Sequence, residues 1–237
     1  MEDLDVSQLA TYLKINPDRV VKMASRGRLP GRRVSGQWRF SEAEIHHWME
    51  DQIGASGVDE LVRYENVVTA SPRTAAAPPT IQTPDIATLC SVDRIEVPFA
   101  ARTRGSVIRR MCDLATQGGL MWDAAAMRTA VENREQMHPT ALDCGVALLH
   151  PRRPQTSILA DSVIALGVCP TPVAFSDRGQ LTDIFFLICS YDDPIHLRIL
   201  ARLSRLISQT DLLSWLRQSE DAPMAHRAIA DAQRQLN

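Results

Sequence analysis

Three stretches of this chain, Gly145-Val-Ala-Leu-Leu149, Ser162-Val-Ile-Ala-Leu-Gly-Val168 and Asp183-Ile-Phe-Phe-Leu-Ile-Cys189, are apolar at consecutive positions instead of alternate ones. A strand with one wetted face alternates, because successive side chains point to opposite sides; a strand covered on both faces reads as an unbroken apolar run. These stretches therefore require helices above and below them, and the chain supplies candidates. Ser106 to Ala115 sets Val107, Ile108, Met111 and Leu114 on one helical face and stops at Gly118-Gly119. Asp123 can cap a second helix through Met127, Ala130 and Val131 to Arg134, and further helices are predicted from Ile195 to Ser208, from Asp211 to Leu216 and from Pro223 onward. Ile95 to Phe99 is a short additional strand. The expected fold is a layered α/β domain with an aliphatic core, since 45% of the 237 residues are hydrophobic but only 5% are aromatic.

The first fifty residues follow a different pattern. Asp5 can cap a helix that carries Val6, Leu9, Ala10 and Leu13 at helical spacing, with Gln8 placed as in a capping box. Asn16-Pro17 then offers a cap and a first-turn proline ahead of Asp18 to Arg26, and Gly27 supplies the stop. Val20, Met23 and Ala24 form the inner stripe of this second helix, leaving Arg19, Lys22 and Arg26 outside. Leu29 to Phe40 reads as a hairpin turning at Ser35-Gly36, with Trp38 and Phe40 as core plugs beneath it. Ser41-Glu-Ala-Glu44 opens a third helix bearing Ile45, Trp48 and Met49, with His46 and His47 expected on its exposed side.

This order of helix, helix, hairpin and helix, with Arg-Gly-Arg-Leu-Pro between the second helix and a Gly-x-Trp-Arg-Phe hairpin, resembles the small winged helix-turn-helix modules of the excisionase and MerR-like group. The resemblance implies that Arg19, Lys22 and Arg26 face the major groove of DNA and that Arg32, Arg33, Gln37 and Arg39 are wing contacts. The charge pattern agrees independently. Lys+Arg 26 against Asp+Glu 28 gives a net charge of -2, so affinity for nucleic acid must come from a local patch. From Arg19 to Arg39 every charged residue is basic.

Residues 1–52 are thus expected to form the DNA-binding module, 53–85 a proline-rich tether with a brief helix over Val58 to Val67, and 86–237 the α/β domain. A tether of that kind lets the two modules act as separate bodies. The 5 cysteines, Cys90, Cys112, Cys144, Cys169 and Cys189, are widely spaced among apolar residues, as reduced core thiols are, and form no metal motif. No run approaches the ~18 apolar residues of a membrane span. A cytoplasmic protein is expected, with neither metal nor cofactor.

Within the second domain, Val107 to Leu114, Asn133-Arg-Glu135, Pro139-Thr140, Gly145-Val-Ala147, His150-Pro-Arg152 and Pro194-Ile-His-Leu-Arg-Ile-Leu-Ala-Arg-Leu-Ser-Arg-Leu206 follow one another in an order similar to that of enzyme IIA of the fructose, mannitol and nitrogen-regulatory type of the bacterial phosphotransferase system. The resemblance covers residues 86 to 217 and implies an α/β/α domain with a mixed sheet. It also implies that His150 accepts a phosphoryl group from an HPr-like donor and passes it to an enzyme IIB-like partner. His196 would then stabilise the phosphoryl group, Arg134 would balance its charge and Thr140 would add a hydroxyl contact. The chain departs from the family in writing Leu149-His150-Pro151, so that Pro151 offers no backbone N–H at the turn. His138 falls near this site in sequence, Cys144 is expected in the core, and His226 is expected in a polar tail without a partner.

Three functions are compatible with this pattern. The first is a DNA-binding regulator that senses phosphotransferase status through His150. The second is a working phosphocarrier donating to an enzyme IIB. The third is a scaffold that cannot be phosphorylated, whose IIA-like domain supplies dimerisation to the DNA-binding module. The expected partners are accordingly DNA, an HPr-like phosphodonor, an enzyme IIB-like or other regulatory protein, and a second copy of the chain.

Overall fold

The computed structural model describes residues 3–13, 15–55, 84–137, 139–175 and 181–236. Most of the segment assigned as a tether, including Val58 to Val67, lies outside the described residues, as does His138. The amino-terminal module begins with β1 (Asp3–Leu4) and α1 (Val6–Tyr12). Asp5 caps α1 by accepting from the Gln8 amide, and the Gln8 side chain returns the bond to the Asp5 amide, satisfying two donors that a helix start leaves open. Asn16 caps α2 (Pro17–Ser25), and Gly27, at φ +66°, supplies the left-handed residue that turns the chain away. β2 (Arg32–Val34) and β3 (Gln37–Ser41) pair antiparallel through a turn in which Ser35 and Gly36 both have positive φ, and β1 adds to the far side of β3. Phe40 is fully buried and Trp38 stacks on it at 6.1 Å, while α3 (Glu42–Ala55) closes the module with Ile45 and Met49 in its core.

The second domain opens with α4 (Ile86–Leu89) and β4 (Ile95–Glu96), followed by α5 (Arg104–Ala115) and α6 (Ala124–Met137). Next come β5 (Val146–Leu149), β6 (Val163–Ala174) and β7 (Leu181–Cys189), then α7 (Asp193–Gln209), α8 (Leu212–Arg217) and α9 (Ala222–Leu236). The sheet runs β4-β6-β7-β5, with β6 antiparallel to β7 and parallel pairs at both edges, so it is mixed.

The consecutive apolar residues divide between the two faces of the sheet. Ile184, Phe186 and Ile188 of β7 pack with Leu197, Leu200 and Leu203 of α7 and with Ile229 of α9; Phe185, Leu187 and Cys189 pack with Met111 of α5 and Met127 of α6. Full burial of a side chain such as Phe186 contributes about 1.5–3 kcal/mol, which a strand with one wet face gains only at every second position. Gly167 interrupts the apolar run of β6 because the Phe99 ring crosses it; a Cβ there would sit 2.8 Å from that ring.

Strands β6 and β4 differ most from expectation in length. β6 continues past Val168 to Ala174, with a register shift between Val168 and Val173 where Pro170 and Pro172 cannot donate to the ladder. β4 stops at Glu96, before Pro98. Two single residues of this domain also differ. Cys144 is exposed, since it precedes the turn at Gly145 and not the strand itself. His226 lies on α9, with Nε2 3.0 Å from the carbonyl oxygen of Ala87.

The modules are in contact, contrary to the expectation of separate bodies. α3 packs along α7, and one apolar cluster runs from Leu9, Phe40 and Ile45 of the first module to Ile184, Ile188, Leu197 and Leu200 of the second.

Candidate functional site

β5 and β7 are parallel neighbours, with Leu149 opposite Leu187, so both strands deliver the chain to the same edge of the sheet. His150 directly follows β5. β7 is followed by Ser190 to Asp192, and Asp192 caps α7 by accepting from the Ile195 amide, which places His196 in the first turn of that helix. Two residues far apart in sequence thus meet. Their ring centroids are 4.9 Å apart at 52°, and each residue is 4% exposed.

The hydrogen bonds set the protonation pattern. Nδ1 of His150 lies 2.8 Å from the carbonyl oxygen of Leu148. A carbonyl can only accept, so Nδ1 carries the proton, and in the neutral ring Nε2 keeps its lone pair. Nδ1 of His196 lies 3.1 Å from Oγ of Ser190, a group able either to donate or to accept. The pair therefore offers a nucleophilic nitrogen on His150 and, when Ser190 donates, an N–H on Nε2 of His196.

Arg134 and Thr140 lie at and just beyond the end of α6. Arg134 is buried in the last turn of α6, next to Glu135. The Thr140 hydroxyl donates to the Glu135 carboxylate, the Thr140 amide lies 3.2 Å from Glu135 Oε1, and the Thr140 carbonyl accepts from the Leu148 amide at 3.3 Å. This chain of bonds ties the end of α6 to the strand that presents His150. Arg104 completes it, with Nη2 3.2 Å from Glu135 Oε2. Burial pushes the Glu135 carboxyl above its ordinary range, against the lowering effect of Thr140 and Arg104. Sequence reasoning assigns no site role to Glu135, Arg104 or Ser190. Glu135 is an acid in a polar helical turn until tertiary packing buries it, and Ser190 is an ordinary residue between a strand and a helix.

His46 and His47 are not on an exposed helical side. His46 is 3% exposed; its Nε2 lies 2.8 Å from the Tyr12 hydroxyl and its Nδ1 lies 3.5 Å from Oδ2 of Asp193. His47 accepts at Nε2 from Nε of Arg152, 3.3 Å away. The packing of α3 on α7 covers what would otherwise be a solvated face.

Arg19 and Lys22 on α2 and Arg26 at its end are exposed, as are Arg32, Arg33 and Gln37 on the hairpin, while Arg39 is half-buried. Arg32 is bonded to Asp3 at 2.6 Å, the Arg33 guanidinium lies 5.1 Å from the centre of the Trp38 ring, and Arg39 reaches Gln37 at 3.4 Å. The basic stretch thus presents cations outward, and the wing arginines are braced by neighbours. Among the described residues no helix is long and apolar enough to cross a membrane.

Comparison with known proteins yields two family matches. The family "Phosphoenolpyruvate-dependent sugar phosphotransferase system, EIIA 2" matches residues 88–232, and "Helix-turn-helix domain" matches residues 4–53. A nitrogen regulatory protein of Bradyrhizobium diazoefficiens is 31% identical over 100 residues, which are 41% of this chain; the chain thus spans 63% of that relative, less than two thirds of its length. Among solved structures, the nitrogen regulatory protein IIA-Ntr from Neisseria meningitidis superposes with a TM-score of 0.54 at 18% identity, over 61% of this chain and 98% of its own. The mannitol IIA protein of Escherichia coli superposes with a TM-score of 0.52 at 16% identity, over 59% and 97% respectively. At these identities the superpositions show a shared fold.

Proposed function

The chain belongs to the phosphoenolpyruvate-dependent sugar phosphotransferase system EIIA 2 family, and on that premise we propose that it is a cytoplasmic DNA-binding regulator whose state is set by reversible phosphorylation of His150 at Nε2. The observation that carries this reading is the bond from Nδ1–H of His150 to the Leu148 carbonyl, which leaves Nε2 as the nucleophile beside His196. In the transfer, the lone pair of Nε2 forms the new P–N bond as the donor's P–N bond breaks, and the donor ring leaves with that electron pair. No proton has to move, since Nδ1–H stays on the Leu148 carbonyl and stabilises the ring as it becomes cationic. His196, with Ser190 donating to Nδ1, supplies an N–H to a phosphoryl oxygen. Arg134 offsets the added negative charge, and Thr140, held by Glu135, keeps the strand in place.

The donor is an HPr-type phosphocarrier. The test is to incubate the purified chain with enzyme I, such a carrier and labelled phosphoenolpyruvate. Acid-labile phosphate on the wild type and none on His150→Ala is the expected result; no label on the wild type, or equal label on both, overturns the reading.

DNA is the proposed output, contacted by Arg19 and Lys22 of α2 and Arg26 at its end in the major groove and by Arg32, Arg33, Gln37 and Arg39 of the wing along the backbone. The match of residues 4–53 to a helix-turn-helix family and the exposure of the α2 cations support it. Joint replacement of Arg19 and Arg26 by Ala is expected to abolish a sequence-specific footprint. Two copies of the chain on one operator would place their α2 helices about 34 Å apart, one turn of DNA.

A second reading, a working phosphocarrier for an enzyme IIB-type partner, is favoured by two large exposed apolar side chains on the segments around the histidines, Met137, whose sulfur is 3.8 Å from Nη1 of Arg152, and Tyr191, next to Ser190. Transfer of label to a partner cysteine distinguishes it from the regulator.

A further inference from the structure

We infer that α3 of the DNA-binding module is the resident ligand of the histidine-site rim, and that a protein phosphodonor must displace it to reach His150. The inference rests on the phosphorylation of His150 proposed above and adds how access to that residue is controlled.

Each of the two segments that carry the site histidines is touched by one of two adjacent histidines of α3. Arg152, two positions after His150, donates from Nε to Nε2 of His47 at 3.3 Å. Asp193, three positions before His196, has Oδ2 3.5 Å from Nδ1 of His46. Successive residues of a helix point about 100° apart, so neighbouring side chains can reach to opposite sides of a line of contact. That geometry lets a single helix straddle both segments. His46 is also held from the module's own side by the Tyr12 hydroxyl at 2.8 Å, so its position is fixed by the fold of the module. The apolar cluster shared by the two modules continues beneath these polar contacts.

The consequence follows from the size of a protein donor. Transfer between two imidazoles requires the donor ring to approach the phosphorus from the side opposite Nε2 of His150, and so requires the donor's surface to lie on the rim around it. Arg152 and Asp193, two and three positions from the site histidines, belong to the segments from which we take that rim to be built. Docking of α3 and docking of the donor therefore compete, and by linkage whatever favours one weakens the other. Phosphorylation itself biases the competition, because it places a dianion near Arg152 that draws the guanidinium from His47. Meanwhile Arg19, Lys22 and Arg26 remain exposed with α3 docked, so the contact employs a different surface of the module from the one assigned to DNA.

The test uses the full chain, with an HPr-type carrier charged from enzyme I and labelled phosphoenolpyruvate, and separately with phosphoramidate, a donor too small to need the rim. The double variant His47→Ala/Asp193→Asn is expected to take label from the carrier about fivefold faster than wild type, and His47→Glu, which strengthens the contact to Arg152, about threefold slower. With phosphoramidate the three chains are expected to label alike, which excludes damage to the site. Equal carrier-dependent rates in all three chains, each of them labelled, overturn the competition and leave the phosphorylation of His150 standing. Absence of label from either donor overturns both.

Discussion

The hydroxyl of Ser190 lies 3.1 Å from Nδ1 of His196, and that ring in turn lies against the ring of His150. Ser190 is 2% exposed, so the bond is made away from water. Replacement by alanine removes the group that orients His196 without removing a large side chain. A lost hydrogen bond of this kind costs about 1–1.5 kcal/mol of folding stability, so Ser190→Ala is expected to lower the urea midpoint, and, with the His196 ring no longer oriented, to slow phosphorylation of His150 about tenfold. Initial labelling rates alongside urea unfolding check both statements; an unchanged rate would remove Ser190 from the site.

Glu135 predicts a pH dependence of stability. Burial raises its carboxyl above the ordinary 4.5. An acid whose pKa is higher in the folded than in the unfolded chain binds more protons when folded, so its favourable contribution is complete below the unfolded value and declines as pH rises through the folded one. Glu135→Gln abolishes that titration and keeps an acceptor for Thr140. Denaturant unfolding of both proteins is expected to show their stability difference shifting toward the variant as pH rises from 4.5. A flat difference, or one of opposite slope, would contradict the assignment.

Gly145 is required by conformation and by space. Its φ is +86°, and a Cβ would meet Arg217 Nη2 at 2.9 Å and Asp183 Oδ1 at 3.0 Å. Arg217 also bonds Asp183 through Nε at 2.7 Å and the Cys144 carbonyl at 2.8 Å, so the added methyl would press on the clamp at the start of β5. Gly145→Ala is expected to lose about 1–3 kcal/mol of stability, read as a lower urea midpoint with an unchanged slope.

The wing arginines are expected to differ in their weight on DNA. Arg32 is committed to Asp3 at 2.6 Å, whereas Arg33 is braced over Trp38. Each phosphate contact contributes about 0.9 to the slope of log affinity against log salt. Arg33→Ala should therefore flatten that slope by about one, and Arg32→Ala by less. Titrations at several salt concentrations measure both, and equal effects would show that DNA draws Arg32 away from Asp3.

Much of the architecture was legible because it depends on near neighbours. Asp5 and Gln8 cap one helix within three residues, Ser35 and Gly36 turn the hairpin within two, and the apolar runs of β5, β6 and β7 state directly that both faces are covered. The meeting of His150 and His196 was also readable, once the strand and helix bearing them were assigned to one sheet edge. What the tertiary structure alone decided was the environment of single polar groups. His47 meets Arg152 across 105 positions of sequence, and His226 meets Ala87 across 139. Ser190 acquires a role only because β7 ends beside β5, and Glu135 because α6 is buried where it points toward Thr140. Local pattern determines which segments become helix or strand, since that choice rests on backbone preference and the spacing of apolar side chains. Whether a histidine is solvated, held by a tyrosine or aimed at its neighbour depends on surfaces brought together from distant parts of the chain, which no short stretch encodes.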